Sequence, residues 1–231
     1  MRFFFLGVDL GGEENTWAVA VEREGKLSPG LSLPEGKPVS LTEIVEFSRK
    51  NRMLAAALDA PISFSLTDRK GLREADRRLR EILRDEGGEP GWVVSYNALM
   101  GIPVRGLLLA EALAPVVGTI IETHPRAALY LALPREKKSL VKAYKGRGPE
   151  AEAALRELWT TLFAKENPRR LSHGLLDALV CALTARAYHL DPESLLFLPS
   201  SGSRGFGPFV ILKKRLPNPP PPPEPPFTKR K

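Results

Sequence analysis

Apolar residues run unbroken at three places along the chain, and each run stops at a single acid. Residues 3–8 read FFFLGV and lead into Asp9, with the glycine pair Gly11 and Gly12 just beyond. Residues 53–58 read MLAAAL and lead into Asp59 and Pro61. Residues 119–121 read TII and lead into Glu122. Short apolar runs of this kind predict strands buried on both faces. A carboxylate at the end of such a strand is costly unless a cation or a hydrogen-bond donor meets it.

Between these runs the period changes. Residues 16–22 (TWAVAVE) alternate and predict a second strand. Residues 27–33 predict a third, with Glu24 and Gly25 as the turn, so the chain is expected to open as a three-stranded antiparallel meander. Ser40 or Thr42 caps a helix over 41–50. The strand ending at Asp59 follows that helix, and a parallel crossover sets Asp59 beside Asp9. Residues 68–86 keep helical spacing through Leu72, Ala75, Leu79, Ile82 and Leu83, with Arg73, Arg77, Arg78, Arg80 and Arg84 on the other face. That face suits phosphates, although such a face is more often a solvated surface with Glu74–Arg78 pairing. A loop over 87–101, a helix over 104–117 stopped by Gly118, and a helix over 149–164 follow. Lys137, Lys138, Lys142 and Lys145 mark a basic loop between them.

The helix expected over 172–190 has an apolar stripe on one side and alanines on the other, so it packs deep. Between His173 and Leu190 it carries one acid, Asp177, four residues after His173 and hence its neighbour on one face. An arginine is the ordinary partner for such an acid. Residues 195–212 read as a hairpin around a glycine-rich turn. Residues 217–226 are nearly all proline and end in a basic tip, so the chain divides into a domain over 1–212 and a proline-rich tail over 213–231 that extends and binds a protein partner or hangs free.

Composition narrows the chemistry. The chain has 231 residues, 43% of them hydrophobic, which suits one domain with a core. A net charge of +7 and a pI of about 9.6 suit a polyanionic partner, nucleic acid first. One cysteine, Cys181, excludes an internal disulfide and a cysteine zinc cage. No apolar run has the length of a membrane span, and the few apolar residues before Asp9 are too short for a signal peptide, so a cytoplasmic protein is expected. A homodimer is compatible with all of this.

The order of strands, helices and isolated acids resembles the ribonuclease-H-like fold: an α/β fold with a mixed central sheet, an opening antiparallel meander and helices on both faces. GVDLGG with TWAVAV, LDAPISFS, Arg73-x-x-Asp76-x-x-x-Arg80, IETHPRAAL and LLDALVCALTARAY together resemble the domain-of-unknown-function 429 family, whose members are predicted nucleases of that fold. The resemblance covers most of residues 3–190. It implies that Asp9, Asp59, Glu122 and Asp177 converge and hold one or two Mg²⁺ or Mn²⁺ ions, with Asp9 bridging. Hard ions of this class prefer oxygen ligands. Two ions about 4 Å apart activate water and stabilise the leaving oxygen in phosphodiester hydrolysis. His173 is a further ligand or proton carrier. Arg73, Arg77, Arg80, Lys137, Lys138, Lys142 and Lys145 are the expected contacts to DNA or RNA. Relatives tend to carry another acid one turn before the late-helix aspartate, where this chain has His173-Gly174. That departure leaves a non-catalytic nucleic-acid-binding protein as the alternative. A third reading, an ATP-dependent phosphotransferase of the actin-like kind, needs a second phosphate loop. The only further D-x-G-G, at 85–88, follows a charged helix.

Overall fold

The computed structural model describes residues 2–162, 168–199 and 204–213. The tail after residue 213, part of the glycine-rich turn and the end of the 149–164 helix lie outside them. Four strands form the central sheet: β1 (Phe4–Asp9), β2 (Trp17–Glu22), β3 (Met53–Asp59) and, later in the chain, a strand at Val117–Glu122. Helix α1 (Leu41–Lys50) joins β2 to β3; Ser40, one of the two expected caps, opens it in a capping box with Glu43. A two-residue strand β4 (Ser63–Phe64), helix α2 (Glu74–Asp85) and helix α3 (Ile102–Leu113) then lead to the fourth sheet strand, β5. Helices α4 (Pro125–Ala132), α5 (Lys138–Ala143), α6 (Pro149–Leu162) and α7 (His173–Leu190) follow. Three short strands close the described chain: β6 (Leu195–Phe197), β7 (Arg204–Gly205) and β8 (Val210–Leu212).

The sheet order is β2-β1-β3-β5, with β1–β2 antiparallel and β1–β3–β5 parallel. Alternation splits its side chains between two cores. Phe4, Leu6, Val8, Ala56 and Leu58 pack with α1 and α3 on one face. Phe5, Val19, Ala55, Ala57 and Ile121 pack with α7 on the other. The architecture is therefore α/β with helices on both faces. Helix α7 lies close to the sheet because the residues between are small. A Cβ at Gly7 would overlap the backbone of Ala178 and Ala182. The 195–212 hairpin forms as expected, through β6 and β8.

Several expectations need correction. The third meander strand is absent: residues 27–33 bond to β2 through Ser28 N–Ala20 O (2.9 Å) and Ser32 N–Ala18 O (3.1 Å) without making a ladder. Pro29 has no N–H to give, and Gly30 and Leu31 take φ of +115° and +54°, which turns the chain out of the strand. Helix α3 ends at Leu113, and Gly118 lies inside β5 instead of stopping a helix. A Cβ there would come within 2.7 Å of Leu54 O, so this glycine serves strand contact. The basic stretch is no open loop: a 3-10 turn (Arg135–Lys137) and α5 occupy it. Helix α4 was not anticipated. Pro125 at its first turn and His124, whose Nδ1 accepts Ala127 N–H at 3.3 Å, start it.

Candidate metal centre

Asp9 and Asp59 sit at the same level of adjacent parallel strands, as the crossover predicts. Each lies two residues past a position on the α7 face: Gly7 for Asp9, Ala57 for Asp59. Both carboxylates therefore face α7, and Asp177 on α7 faces them. One oxygen from each of Asp9, Asp59 and Asp177 lies within 4.8 Å of the other two. Asp177 is fully buried, whereas Asp9 and Asp59 keep an edge open to solvent.

The partners of Asp177 come from the stretch after α5. Tyr144 Oη donates to Asp177 Oδ1 at 2.7 Å. Lys145 Nζ faces Oδ2 at 2.6 Å as an ion pair, while Oδ2 has no aligned hydrogen bond. The expected arginine is thus a lysine. Burial, then the charges of Asp177 and Asp59, push the Asp9 carboxyl well above its ordinary range, and burial raises Asp59 as well. Burial opposes the Lys145 charge, yet Asp177, Asp59 and Asp9 outweigh it and hold the ammonium above its usual range. Burial also raises the Tyr144 phenol, reinforced by Asp177. Three crowded carboxylates against one ammonium make a site that gains from another cation.

Glu122 does not join this cluster. Its register partner on β3 is Leu58, not Asp59, so alternation gives it the opposite face. It meets Arg73 instead: Nη2–Oε1 is 2.5 Å and Nη1–Oε2 is 2.7 Å, with Ile62 N–H donating at 3.1 Å. Arg73 also grips Asp76 through Nη2 (2.7 Å) and Nε (3.0 Å). Burial pushes Glu122 upward and the Arg73 fork pulls it back. The two-pronged geometry decides for an ionised, structural Glu122. Arg73, only 2% exposed, is part of this triad and is withdrawn from the expected phosphate contacts.

The remaining predicted residues are dispersed. His173 keeps an exposed edge at the first turn of α7, and partial desolvation of its ring lowers its pKa. Beside it, Gly174 is required: a Cβ would overlap the Trp17 indole and come within 2.9 Å of Asp9 Oδ2. No acid fits at position 174. Arg77 and Arg80 donate to the carbonyls of Leu72 and Val93. Arg78 pairs with Glu81, in place of Glu74. Lys137 reaches Thr161 and Glu157, Lys138 reaches Glu86, and Lys142 is exposed. Lys145 belongs to the carboxylate cluster. The D-x-G-G at 85–88 is the end of α2 and no strand–loop element.

Sequence reasoning missed Tyr144 as a partner of Asp177, and it missed Thr123, Trp92 and Arg126, which line a cavity beside Asp59. The only signal for Tyr144 was an aromatic inside a basic run. Among the described residues no helix is long and apolar enough to cross a membrane. Comparisons with protein-family models, with curated proteins and with solved structures gave no match to this chain.

Proposed function

We propose that the chain is a metal-dependent nuclease of ribonuclease-H-like fold that hydrolyses phosphodiester bonds of nucleic acid. The observation that carries this reading is the convergence of Asp9, Asp59 and Asp177 from two strands and a helix. The sheet order and the resemblance of the motifs to the domain-of-unknown-function 429 family support it. The donor set is all carboxylate, which suits Mg²⁺ or Mn²⁺. Asp177 Oδ2, buried and without an aligned hydrogen bond, fits a ligand position. A bound divalent ion supplies Lewis-acid polarisation and an ionised water. The chain's own residues do the rest. Asp9, Asp59 and Asp177 hold the ion, and Tyr144 fixes the rotamer of Asp177. Lys145 balances carboxylate charge and, when the cation takes that role, is free to meet a phosphate oxygen.

One observation favours a second reading. Lys145 already neutralises Asp177, as a non-catalytic nucleic-acid-binding protein of the same fold would need. One assay separates the two. Labelled single-stranded, duplex, flapped and four-way DNA and an RNA–DNA hybrid are incubated with Mg²⁺ or Mn²⁺. Wild type is expected to cut at least one of them, and folded Asp9→Asn and Asp177→Asn to cut none. A folded, metal-loaded wild type that cuts nothing yet binds in a salt-sensitive way selects the binding protein.

A further inference from the structure

A cavity of about 370 Å³ opens beside the carboxylates, lined in part by Asp59 and Lys145 of the cluster. One of its other residues lacks a partner that a protein interior normally provides, and another is a half-buried cation held without an ion pair. Thr123 is 2% exposed, and its Oγ1 has no hydrogen-bond partner. Proteins rarely leave a buried hydroxyl unmatched. Arg126 pairs with no carboxylate among the described residues. Its guanidinium is nevertheless held in place. Nε and Nη2 donate to the carbonyls of Val141 (3.3 Å) and Lys142 (2.9 Å), and the group lies 4.3 Å from the Trp92 ring centre. This is a fixed cation with no counter-anion, on the wall of the cavity that Asp59 borders.

The register explains Thr123. It follows Glu122, the partner of Leu58, and so takes the level of Asp59 at the end of β5. A hydroxyl thus stands where the expected acid would have stood, buried in the wall of the cavity that Thr123 lines. We propose that this cavity takes a single unpaired nucleotide of the substrate strand next to the cleaved phosphodiester, with Arg126 on its phosphate and Thr123 on a polar edge of its sugar or base. The inference rests on the carboxylate cluster being the reacting centre. The volume sits at the low end of the roughly 300–1,000 Å³ typical of cavities that enclose one small molecule. A continuous duplex reaches such a cavity only by extruding a nucleotide, at a cost of a few kcal/mol that a single strand does not meet. The substrate class is therefore single strands, flaps or frayed ends.

The test is binding, with the full chain. Adenosine 5′-monophosphate and inorganic phosphate are titrated by calorimetry in Mg²⁺. A labelled oligothymidylate and a blunt hairpin duplex are compared by anisotropy in Ca²⁺. Adenosine monophosphate should bind about tenfold or more tighter than phosphate, because only the nucleotide fills the cavity. Arg126→Ala should weaken it by about tenfold or more, the scale of a charge-assisted contact. Arg126→Lys, which keeps the charge without the fork, should fall between. The oligothymidylate should bind about tenfold tighter than the hairpin. Melting curves identify a variant that has lost its fold, in which case Arg126→Lys and Thr123→Val carry the test. Equal affinity for phosphate and nucleotide, no nucleotide binding at millimolar concentration, or folded Arg126 variants that bind like wild type would each overturn the proposal. Arg126-dependent nucleotide binding in a protein that cuts nothing would keep the cavity and sink the nuclease. Asp9-dependent cutting without nucleotide binding would do the reverse.

Discussion

Replacing Asp9 with asparagine should stabilise the metal-free protein near pH 8. The magnitude follows from the cluster. One oxygen from each of Asp9, Asp59 and Asp177 lies within 4.8 Å of the others. Two unit charges at that distance repel by about 3 kcal/mol at an effective dielectric of about 20. Asp9 has two such neighbours, and the attraction of Lys145 returns part of the cost. Asparagine keeps the shape and removes the charge, so a net relief of about 2 kcal/mol is expected. For a chain of this size that is roughly 4–8 °C in Tm. The effect has a sign in pH. Burial, then Asp177 and Asp59, raise Asp9 above its ordinary 3.8. The folded state therefore holds this proton more tightly than the unfolded state. The contribution of Asp9 to stability is fully present below about 3.8 and is lost as pH rises through the raised folded value. The Tm difference between variant and wild type should be smallest near pH 4 and grow toward pH 8. Scanning calorimetry in EDTA across that range measures it. Saturating Mg²⁺ should then raise wild type and leave Asp9→Asn unmoved. A variant that melts below wild type in EDTA at pH 8 would refute the crowding of charges on which the metal centre is argued.

Three further substitutions separate ligands from supports. Glu122→Gln leaves Arg73 buried with half its counter-charge, so a loss of about 3–5 kcal/mol is expected. Its Mg²⁺-induced Tm shift should survive, and a normal Tm with that shift lost would return Glu122 to the ligand set. Gly174→Ala drives a methyl into the Trp17 indole and toward Asp9. It should cost about 1–3 kcal/mol and weaken Mn²⁺ binding in a calorimetric titration, whereas an unchanged Tm would mean that α7 has room to shift. Lys145→Met removes the only ammonium facing Asp177 among the described residues. The metal-free protein should melt lower at neutral pH and Mn²⁺ should bind more tightly; weaker binding would make the lysine a support of the site instead of a rival for its charge.

The parts of the fold that could be read from sequence are those where one local rule dominates. The runs before Asp9 and Asp59 became β1 and β3 because residues buried on both faces need no alternation. Helix α1 was legible through its capping serine, and α7 through two packable faces around one acid. Expectations failed where a local signal had two readings. Gly118 looked like a helix stop, but the close approach of Leu54 O gives it a place in β5. Residues 27–33 had the apolar content of a strand, and Pro29 with two positive-φ residues took away the ladder. The lysines at 137–145 looked like a loop because charge hides the spacing of Leu140 and Val141, which pack α5 down.

The candidate site shows the same limit at a finer scale. Three strands each end in an acid at the same edge of the sheet, and from sequence the three look equivalent. Side chains alternate with a period of two, so equivalence depends on register to the single residue. Asp9 pairs with Asp59, but Leu58 pairs with Glu122. That one-residue offset turns Glu122 away from the aspartates to Arg73 and leaves Thr123 at their level. No pattern within 117–123 encodes the offset; it is fixed by how β5 docks on β3. The long-range partners could have given it away, because an acid buried beside an arginine has no charge left to offer a metal. Arg73 was read as part of an outer charged face, although it stands at the N-terminal edge of α2, where a side chain turns back toward the sheet. Assigning Arg73 to the solvent and Glu122 to the metal was therefore a single error, and the bidentate contact between them corrects both.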